Sequence, residues 1–286
     1  MNNKFKNEGG GNVMNIEMNY HNVYYYCSIV ENIIEERQME FLTKLSEFSK
    51  GYLEEIPEKY NKESILLLFC RWSVKEIMEE DMQDELKLYK EKFLTRKGKK
   101  KYEDIIWSEK ENFTFEVERA IEHYYDISNR FCEWIEDKEY ELLEDAFYEY
   151  LSELWFFDKY ENVVNKIADE MFYILFLNRN FLLLFNYYIS LIHDSISQHI
   201  YIPKWVKNAV FYRDRGRCVL CGKDLSGTMA IIEYNKVHYD HIVPLDQGGI
   251  NDVSNIQLLC EKCNLTKGTK SITNNIYQNW FDEKES

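Results

Sequence analysis

The sequence predicts a mainly α protein, with a large N-terminal all-α domain followed by a small α+β domain at the C-terminus. Between residues 17 and 200 apolar side chains recur every three or four positions, glycine is scarce, and Pro57 is the single proline. The last eighty or so residues differ, because paired cysteines, glycines and short apolar runs replace the helical period there. A length of 286 residues favours two domains.

The apolar period divides the N-terminal part into candidate helices. Within residues 128–160, for example, Phe131, Ile135, Leu143, Phe147 and Leu151 repeat at helical spacing. The predicted helices span residues 17–37, 38–55, 62–94, 103–127, 129–158, 161–177 and 180–199. Residues 1–16 are polar and glycine-rich, which predicts a disordered tail.

Charge is distributed unevenly along the chain. Residues 201–286 hold 11 Lys and Arg and 10 Asp and Glu, so the first 200 residues carry a balance of −16 within a whole-chain net charge of −15. An acidic domain repels a polyanion, and residues 17–200 are therefore expected to self-associate or to bind a co-encoded protein rather than DNA. An acidic surface kept only for solubility is the equally weighted alternative.

The remaining cysteines and one apolar segment help to predict the cellular compartment and whether the chain crosses a membrane. Cys27, Cys70 and Cys132 are isolated and predicted to be buried thiols, and no secretory signal is present, which together favour the cytoplasm. The segment Met171 to Ile192 is apolar, but it contains Arg179, and a central arginine costs on the order of 3 kcal/mol in a membrane span. Two buried helices joined at residues 178–180 are predicted instead, and no membrane partner.

The C-terminal domain, residues 201–286, is expected to begin near residue 200. Pro203 suits a first helical position, and a helix is predicted over residues 204–212. Residues 228–234 and 236–241 are predicted to form a hairpin, and a second helix is expected to start at Cys260 or Glu261.

Two Cys-x-x-Cys pairs in this domain have the spacing of zinc ligands. Cys218 and Cys221 precede Cys260 and Cys263 by a separation of 38 residues, which leaves room for a hairpin between two knuckles. A structural Zn²⁺ is the favoured interpretation. Four unrelated thiols or a redox pair are the alternatives, but a redox pair needs a βαβ setting that is absent from the pattern.

Between the knuckles stand Asp240 and His241, the side chains suited to chemistry. A carboxylate with an amide oxygen and waters suits a hard divalent ion such as Mg²⁺ better than zinc. With an ordinary pKa near 6.5, an imidazole can take a proton from water near neutral pH, so His241 is the candidate general base.

These residues carry a family resemblance. The matching positions are Cys218, Cys221, His238, Asp240, His241, Pro244, Gly248, Gly249, Asn255, Cys260, Cys263, Asn264, Lys267 and Gly268. Approximately residues 201–271 resemble an HNH endonuclease domain of the ββα-metal type with a four-cysteine zinc site. The N-terminal domain resembles no family, although the two-domain layout resembles bacterial anti-phage defence or restriction-type effectors.

The resemblance implies a role for each matched residue. His241 corresponds to the general base and Asp240 to a ligand of the catalytic divalent ion, with Mg²⁺ expected and Mn²⁺ or Ni²⁺ as substitutes. Asn255 corresponds to the residue that steadies the histidine ring. Asn264 stands in place of a final histidine as the second metal ligand, an HNN variant, and Lys267 would face the same phosphate.

Candidate nucleic-acid contacts surround this motif. Basic side chains precede the first knuckle, and His238 shares a strand face with Asp240, where a packing or tautomer-fixing role is the alternative. The predicted nucleic-acid-binding residues are Arg213, Arg215, Arg217, His238, Lys267 and Lys270.

The sequence therefore predicts a metal-dependent DNA endonuclease controlled by an acidic helical domain. The alternatives are a zinc-stabilised nucleic-acid-binding or protein-interaction module without catalysis, and a mobile-element nuclease. The latter would be expected to carry a DNA-binding module of its own, and the sequence contains no clear one.

Overall fold

The structure is a computed structural model of the full chain. It describes residues 22–52, 59–95, 114–126, 130–134, 143–192, 197–227 and 237–274. The predicted disordered tail, the predicted strand at 228–234 and the last twelve residues lie outside these ranges.

The described N-terminal part is helical, as predicted. Its helices are α1 (Val23–Glu36), α2 (Gln38–Tyr52), α3 (Ile65–Thr95), α4 (Glu116–Tyr125), α5 (Phe131–Trp134), α6 (Leu143–Trp155), α7 (Asp158–Leu177) and α8 (Arg179–Ile192). The predicted helix at 180–199 was too long at its C-terminal end, because residues 197–200 are irregular.

Aromatic side chains fill the centre of this helical region. Phe69 on α3 lies against Phe41, Phe48, Trp72 and Phe185, with ring centroids 5.2 to 5.8 Å apart. Rings at this separation add about 0.5–1.5 kcal/mol per pair to the burial of their area. The helix α3 packs against α7 along this core. The predicted burial of Cys27, Cys70 and Cys132 is confirmed.

A second aromatic group surrounds one buried acid on α4. Phe115, Phe131, Phe147 and Tyr150 pack together. Glu118 lies among them and accepts hydrogen bonds from the backbone amides of Phe115 and Phe131 and from the Tyr150 hydroxyl. These donors compensate in part for placing a carboxyl group in an apolar core.

The chain bends by 103° where α7 gives way to α8 at Asn178. The side-chain oxygen of Asn178 accepts a hydrogen bond from the Phe181 amide, which caps the new helix. Within the ranges given above, no single helix combines the length and apolar character needed to cross a membrane. The bent pair satisfies that test on length and composition alone.

Among its described residues, the C-terminal part contains a two-stranded antiparallel sheet between helices. Helix α9 (Lys204–Arg213) leads to the first cysteine pair, strand β1 (Val237–His241) pairs with β2 (Ile256–Cys260), and α10 (Glu261–Lys267) follows. The register sets Val237 opposite Cys260 and His241 opposite Ile256. Strand β2 was not predicted from sequence. Helix α10 starts at Glu261, as expected.

Buried polar contacts tie the C-terminal part to the helices. Asp252 accepts a hydrogen bond from the first amide of α3, that of Ile65, at 2.9 Å. Asp214 lies 2.8 Å from Nε of Arg213 and 3.4 Å from a guanidinium nitrogen of Arg179 on α8. It also accepts a hydrogen bond from the Leu258 amide of β2. The buried apolar residues of both parts form one continuous cluster, so the helical region directly supports the sheet.

Candidate functional site

Four cysteines converge beside the sheet. Cys218 and Cys221 come from the loop after α9, Cys260 ends β2, and Cys263 lies in the first turn of α10. Their sulfur atoms all lie within 4.8 Å of one another, with 3.9 Å between Cys221 and Cys260. Tetrahedral zinc with bonds of about 2.3 Å places its sulfur ligands about 3.8 Å apart. The cluster therefore has the composition and spacing of a closed structural zinc site.

A tight turn prepares the first cysteine pair. The amide of Gly222 donates to the carbonyl of Cys218 at 2.8 Å, and the Cys218 amide donates to the carbonyl of Lys223. Gly222 has a φ of 74°, a left-handed conformation in which glycine carries no steric penalty. This turn brings the two sulfur atoms to the same side of the loop.

A second group of polar side chains lies between β1 and α10. Lys267 Nζ is 2.8 Å from Oδ2 of Asp240, and the Lys267 side chain is only 1% exposed. The side-chain amide nitrogen of Asn264 lies 3.4 Å from Nδ1 of His238. His238 and Asp240 share one face of β1 because side chains alternate along a strand. The predicted proximity of Asn264 and Lys267 to this strand is therefore present.

His241 ends β1 and points to the opposite face, where it is buried. Its Nε2 atom lies 3.3 Å from Oδ1 of Asn251 and 3.3 Å from the hydroxyl of Tyr60, which precedes α3. Burial lowers the pKa of His241 to about 4, against opposing contributions from the Asn251 hydrogen bond and the Asp240 charge. The imidazole is therefore neutral near pH 7 and has a lone pair with which to accept a proton.

Tyr60 and Asn251 are the two site residues that sequence reasoning missed. Burial raises the pKa of the Tyr60 hydroxyl, which keeps it protonated. Tyr60 is separated from His241 by 181 positions, so no local spacing connects them. Asn251 lies within the motif, between Gly249 and Asn255, and its place there was the one available signal.

Asn255 organises the loop after β1 rather than the histidine ring. Its side-chain oxygen accepts from the amide of Val243, and its side-chain nitrogen donates to the carbonyls of Val243 and Ile250. The predicted contact between the Asn255 side chain and the His241 ring is therefore wrong. The physical reason is that Asn255 is fully buried beneath the loop and satisfies its amide with backbone groups.

The two glycines of the motif permit this loop to close. A Cβ atom at Gly249 would lie 2.0 Å from the carbonyl oxygen of Val243. Gly248 has a φ of 82°, and a Cβ there would lie 2.9 Å from the carbonyl oxygen of Ser190 on α8. Both positions therefore exclude a side chain, the first within the loop and the second against the helical region.

The structure corrects one predicted nucleic-acid contact and alters another. Arg213 is buried: its guanidinium donates to Asp214 and to the carbonyl of Ile256, and it lies over the Phe176 ring. It is unavailable to a phosphate because these groups enclose it. Lys267 does not face outward either, since its ammonium pairs with Asp240. Arg215, Arg217 and Lys270 are exposed, and their contact with nucleic acid stays a prediction.

The oxygen donors near β1 fit a hard divalent cation. The ion pair to Lys267 engages Oδ2 of Asp240, and the carboxyl group is 26% exposed, which leaves Oδ1 for another partner. Asn264, half-buried on α10, adds an amide group on the same side of the strand. A carboxylate with an amide oxygen and waters is a donor set typical of Mg²⁺ or Mn²⁺, and it lacks the soft ligands that zinc prefers.

Comparison with known proteins bears on the C-terminal part. Residues 218–270 match a family model described as HNH endonuclease. The matched range includes both cysteine pairs, β1, β2 and α10. No curated protein and no solved structure matches the chain.

Proposed function

We propose that the protein is a metal-dependent endonuclease that hydrolyses phosphodiester bonds in DNA, because residues 218–270 match a family model described as HNH endonuclease. In this proposal His241 is the general base, and Asp240 and Asn264 bind the catalytic divalent ion. Mg²⁺ is the proposed ion, with Mn²⁺ or Ni²⁺ as substitutes.

One observation carries the proposal. Helix α10 lies over β1 so that Lys267 reaches Asp240 at 2.8 Å and Asn264 reaches His238 at 3.4 Å, while His241 follows Asp240 at the strand end. A carboxylate and an amide thus lie on one face of β1, and the neutral imidazole of the next residue in the strand lies on the opposite face. Phosphodiester hydrolysis needs both functions near the strand end, a base for water and a cation site for the charge that develops on the leaving oxygen.

The protein side chains divide the reaction between them. The neutral imidazole of His241 takes a proton from water as the water oxygen attacks phosphorus. The phosphorus bond to the 3′ oxygen breaks and that oxygen takes a proton from solvent water, so the products carry a 5′ phosphate and a 3′ hydroxyl. Lys267 lies 2.8 Å from Oδ2 of Asp240 and so fixes the position of that carboxyl group beside β1.

The divalent ion would supply Lewis acidity toward a non-bridging oxygen and the leaving oxygen of the phosphate. Oδ1 of Asp240 and the side-chain oxygen of Asn264 are the proposed protein ligands. The lysine ammonium already balances one unit of charge at Asp240. Weak binding of the free ion, strengthened by the phosphate of the substrate, is therefore expected.

The four-cysteine cluster has a structural role in this proposal. A site closed by four thiolates has no open position for substrate or water. It joins the loop after α9 to the end of β2 and the start of α10, and so holds the helix that carries Asn264 and Lys267.

We place the helical region as a control or docking element of the nuclease, as in a defence or restriction-type effector. Two contacts support this part of the proposal. Tyr60 precedes α3 and lies on His241, and Asp252 caps the first turn of α3. A change in the position of α3 would therefore reach the base directly.

Cleavage of supercoiled plasmid by the full-length protein tests the proposal. With Mg²⁺ or Mn²⁺ the wild type should nick or linearise the plasmid, and EDTA should stop it. His241→Ala should lower the rate at least about 100-fold, because a positioned general base contributes about 10²–10⁴.

Matched variants complete the plasmid experiment. His123→Ala, at an exposed position on α4, and Asp246→Asn, at an exposed position in the loop after β1, should cleave like wild type. Asp240→Asn should cleave poorly and need more metal. Equal cleavage by wild type and a folded, zinc-loaded His241→Ala protein would overturn the proposal. An inert wild type with bound DNA would favour the non-catalytic binding module.

A further inference from the structure

The environment of His241 determines which ring nitrogen can act as the base. Within the described ranges, the hydrogen bonds to the imidazole all reach Nε2, one involving Asn251 and the other Tyr60. That His241 acts as a base rests on the proposed function, whereas the position of the proton on its ring can be measured without any DNA cleavage.

The orientation of the Asn251 amide follows from its second partner. Its side-chain nitrogen lies 2.8 Å from the backbone carbonyl of Gln198, in the segment between α8 and α9. A carbonyl oxygen only accepts hydrogen bonds, so the NH₂ group of Asn251 must be the atom that faces Gln198. The other amide atom, Oδ1, then faces His241.

This orientation dictates the tautomer of His241. Oδ1 of Asn251 has no proton, so Nε2 of the imidazole must carry one for the 3.3 Å contact to be favourable. The Tyr60 hydroxyl can donate or accept, so it adapts to either tautomer and selects neither. In a neutral ring with Nε2 protonated, the lone pair is on Nδ1.

We propose that Asn251 is a positioning residue that holds His241 in the Nε2-protonated tautomer, so that Nδ1 is the atom that takes the proton from water. The backbone carbonyl of Gln198 fixes the Asn251 amide by accepting a hydrogen bond from its NH₂ group. The segment that connects the helical region to the nuclease domain thus orients the base through a single asparagine.

The loss of activity expected without the Asn251–His241 hydrogen bond follows from these contacts. An alanine at position 251 leaves the Nε2 proton with the Tyr60 oxygen alone, and the two tautomers become closer in energy. A ring with the proton on Nδ1 cannot accept one there, so the fraction of competent protein falls. Hydrogen-bond partners that orient metal-ligating histidines contribute about 10–100-fold to affinity or activity, and a loss of the same order is expected here.

Nitrogen NMR of the histidine rings tests the tautomer directly. The full-length protein is labelled with ¹⁵N in its six histidines, and long-range ¹H–¹⁵N correlations are recorded at pH 8. The His241 signals are assigned by their loss in His241→Ala. Wild type should show a protonated Nε2 and an unprotonated Nδ1, and the reverse pattern would overturn the proposal.

Variants separate positioning from general stability. Asn251→Ala should give mixed or reversed tautomers and lower kcat about 10–100-fold with KM for DNA little changed. Tyr60→Phe leaves the Asn251 acceptor in place and should retain the Nε2-protonated form. Asn208→Ala, exposed on α9, is the matched control and should change neither measurement.

The two proposals fail in different ways. A wild type that cleaves no DNA but shows the Nε2-protonated ring contradicts the proposed function and supports the inference. A wild type that cleaves DNA while Asn251→Ala keeps the same tautomer and the same kcat overturns the inference and leaves the proposed function standing.

Discussion

The helical region and the smaller C-terminal domain are stabilised by different kinds of burial. The helical core is aromatic, with Phe41, Phe48 and Trp72 each in contact with Phe69. The buried set of the smaller domain is rich in polar groups, namely Arg213, Asp214, His241, Asn251, Asp252, Ser254, Asn255, Gln257 and Lys267. Apolar packing tolerates exchange among similar side chains, whereas a buried polar network loses stability when one partner is removed.

The difference has a physical origin in size and shape. A small domain with a two-stranded sheet has little apolar surface to bury, and such domains commonly depend on metals or on partners for stability. Here the cysteine cluster holds one end of the domain, and buried hydrogen bonds to α3 and α8 hold the other. The same arrangement brings Lys267 to Asp240 and Asn264 to His238.

Removal of zinc should cause the largest loss of stability, and it should unfold only the smaller domain. Cys263→Ser, or treatment with a zinc chelator, is expected to abolish hydrogen-exchange protection in β1, β2 and α10 while α3 and α7 remain protected. Structural zinc sites contribute about 10–16 kcal/mol of apparent binding energy in small domains. Exchange mass spectrometry and metal analysis measure both results.

Cys27→Ala is the matched control for that experiment, because Cys27 is a buried thiol of α1 outside the cluster. It should keep about one zinc per chain. A zinc-free Cys263→Ser protein with unchanged protection of β2 would refute the structural role assigned to the metal.

The second effect compares one buried polar residue with one buried aromatic residue. Asp214→Asn removes the charge that faces both Arg179 and Arg213, and the loss of one partner from a buried ion pair costs about 3–5 kcal/mol. Phe181→Leu in the helical core should cost less than about 3 kcal/mol, because leucine keeps most of the buried volume and one ring contact, with Phe185, is lost among the described residues. Urea denaturation of the two variants measures both values. If Phe181→Leu proves the more damaging change, the contrast drawn between the two regions is wrong.

The smallest effect concerns the one carboxyl group enclosed by the second aromatic group. Burial raises the pKa of Glu118 to about 7, while hydrogen bonds from Phe131, Phe115 and Tyr150 oppose the increase. A raised folded-state pKa means that the folded protein holds this proton after the unfolded chain has released it. The contribution of Glu118 to stability is therefore fully present below about pH 4.5 and is lost as the pH rises through 7.

Glu118→Gln should remove that part of the pH dependence. Between pH 4.5 and 7 the free energy of unfolding should fall less steeply in the variant, by up to about 3 kcal/mol over the window, since one unit of pKa corresponds to about 1.4 kcal/mol. Glu149→Gln, exposed on α6, serves as the control and should follow the wild-type curve. Chemical denaturation at several pH values measures the slopes, and parallel curves for all three proteins would exclude titration of Glu118 in this range.

Particular residues show which parts of the fold could be predicted from the sequence alone. The break at Asn178, the start of α2 at residue 38 and the start of α10 at Glu261 were predicted, because local periodicity and turn residues specify them. Strand β2 was missed. Its five residues are all buried, so the alternation that marks a half-exposed strand is absent.

The sequence by itself determined the four-cysteine cluster, through two cysteine pairs, and placed Asp240, His241, Asn255, Asn264 and Lys267 in the segment that matches the HNH endonuclease model. Spacing suffices for the cluster because its four cysteines lie on neighbouring elements. Only the tertiary structure decided that Asn251 and Tyr60 contact His241, that Arg213 is buried and that Lys267 pairs with Asp240. These contacts join distant parts of the chain, and side-chain direction depends on packing that no local pattern records.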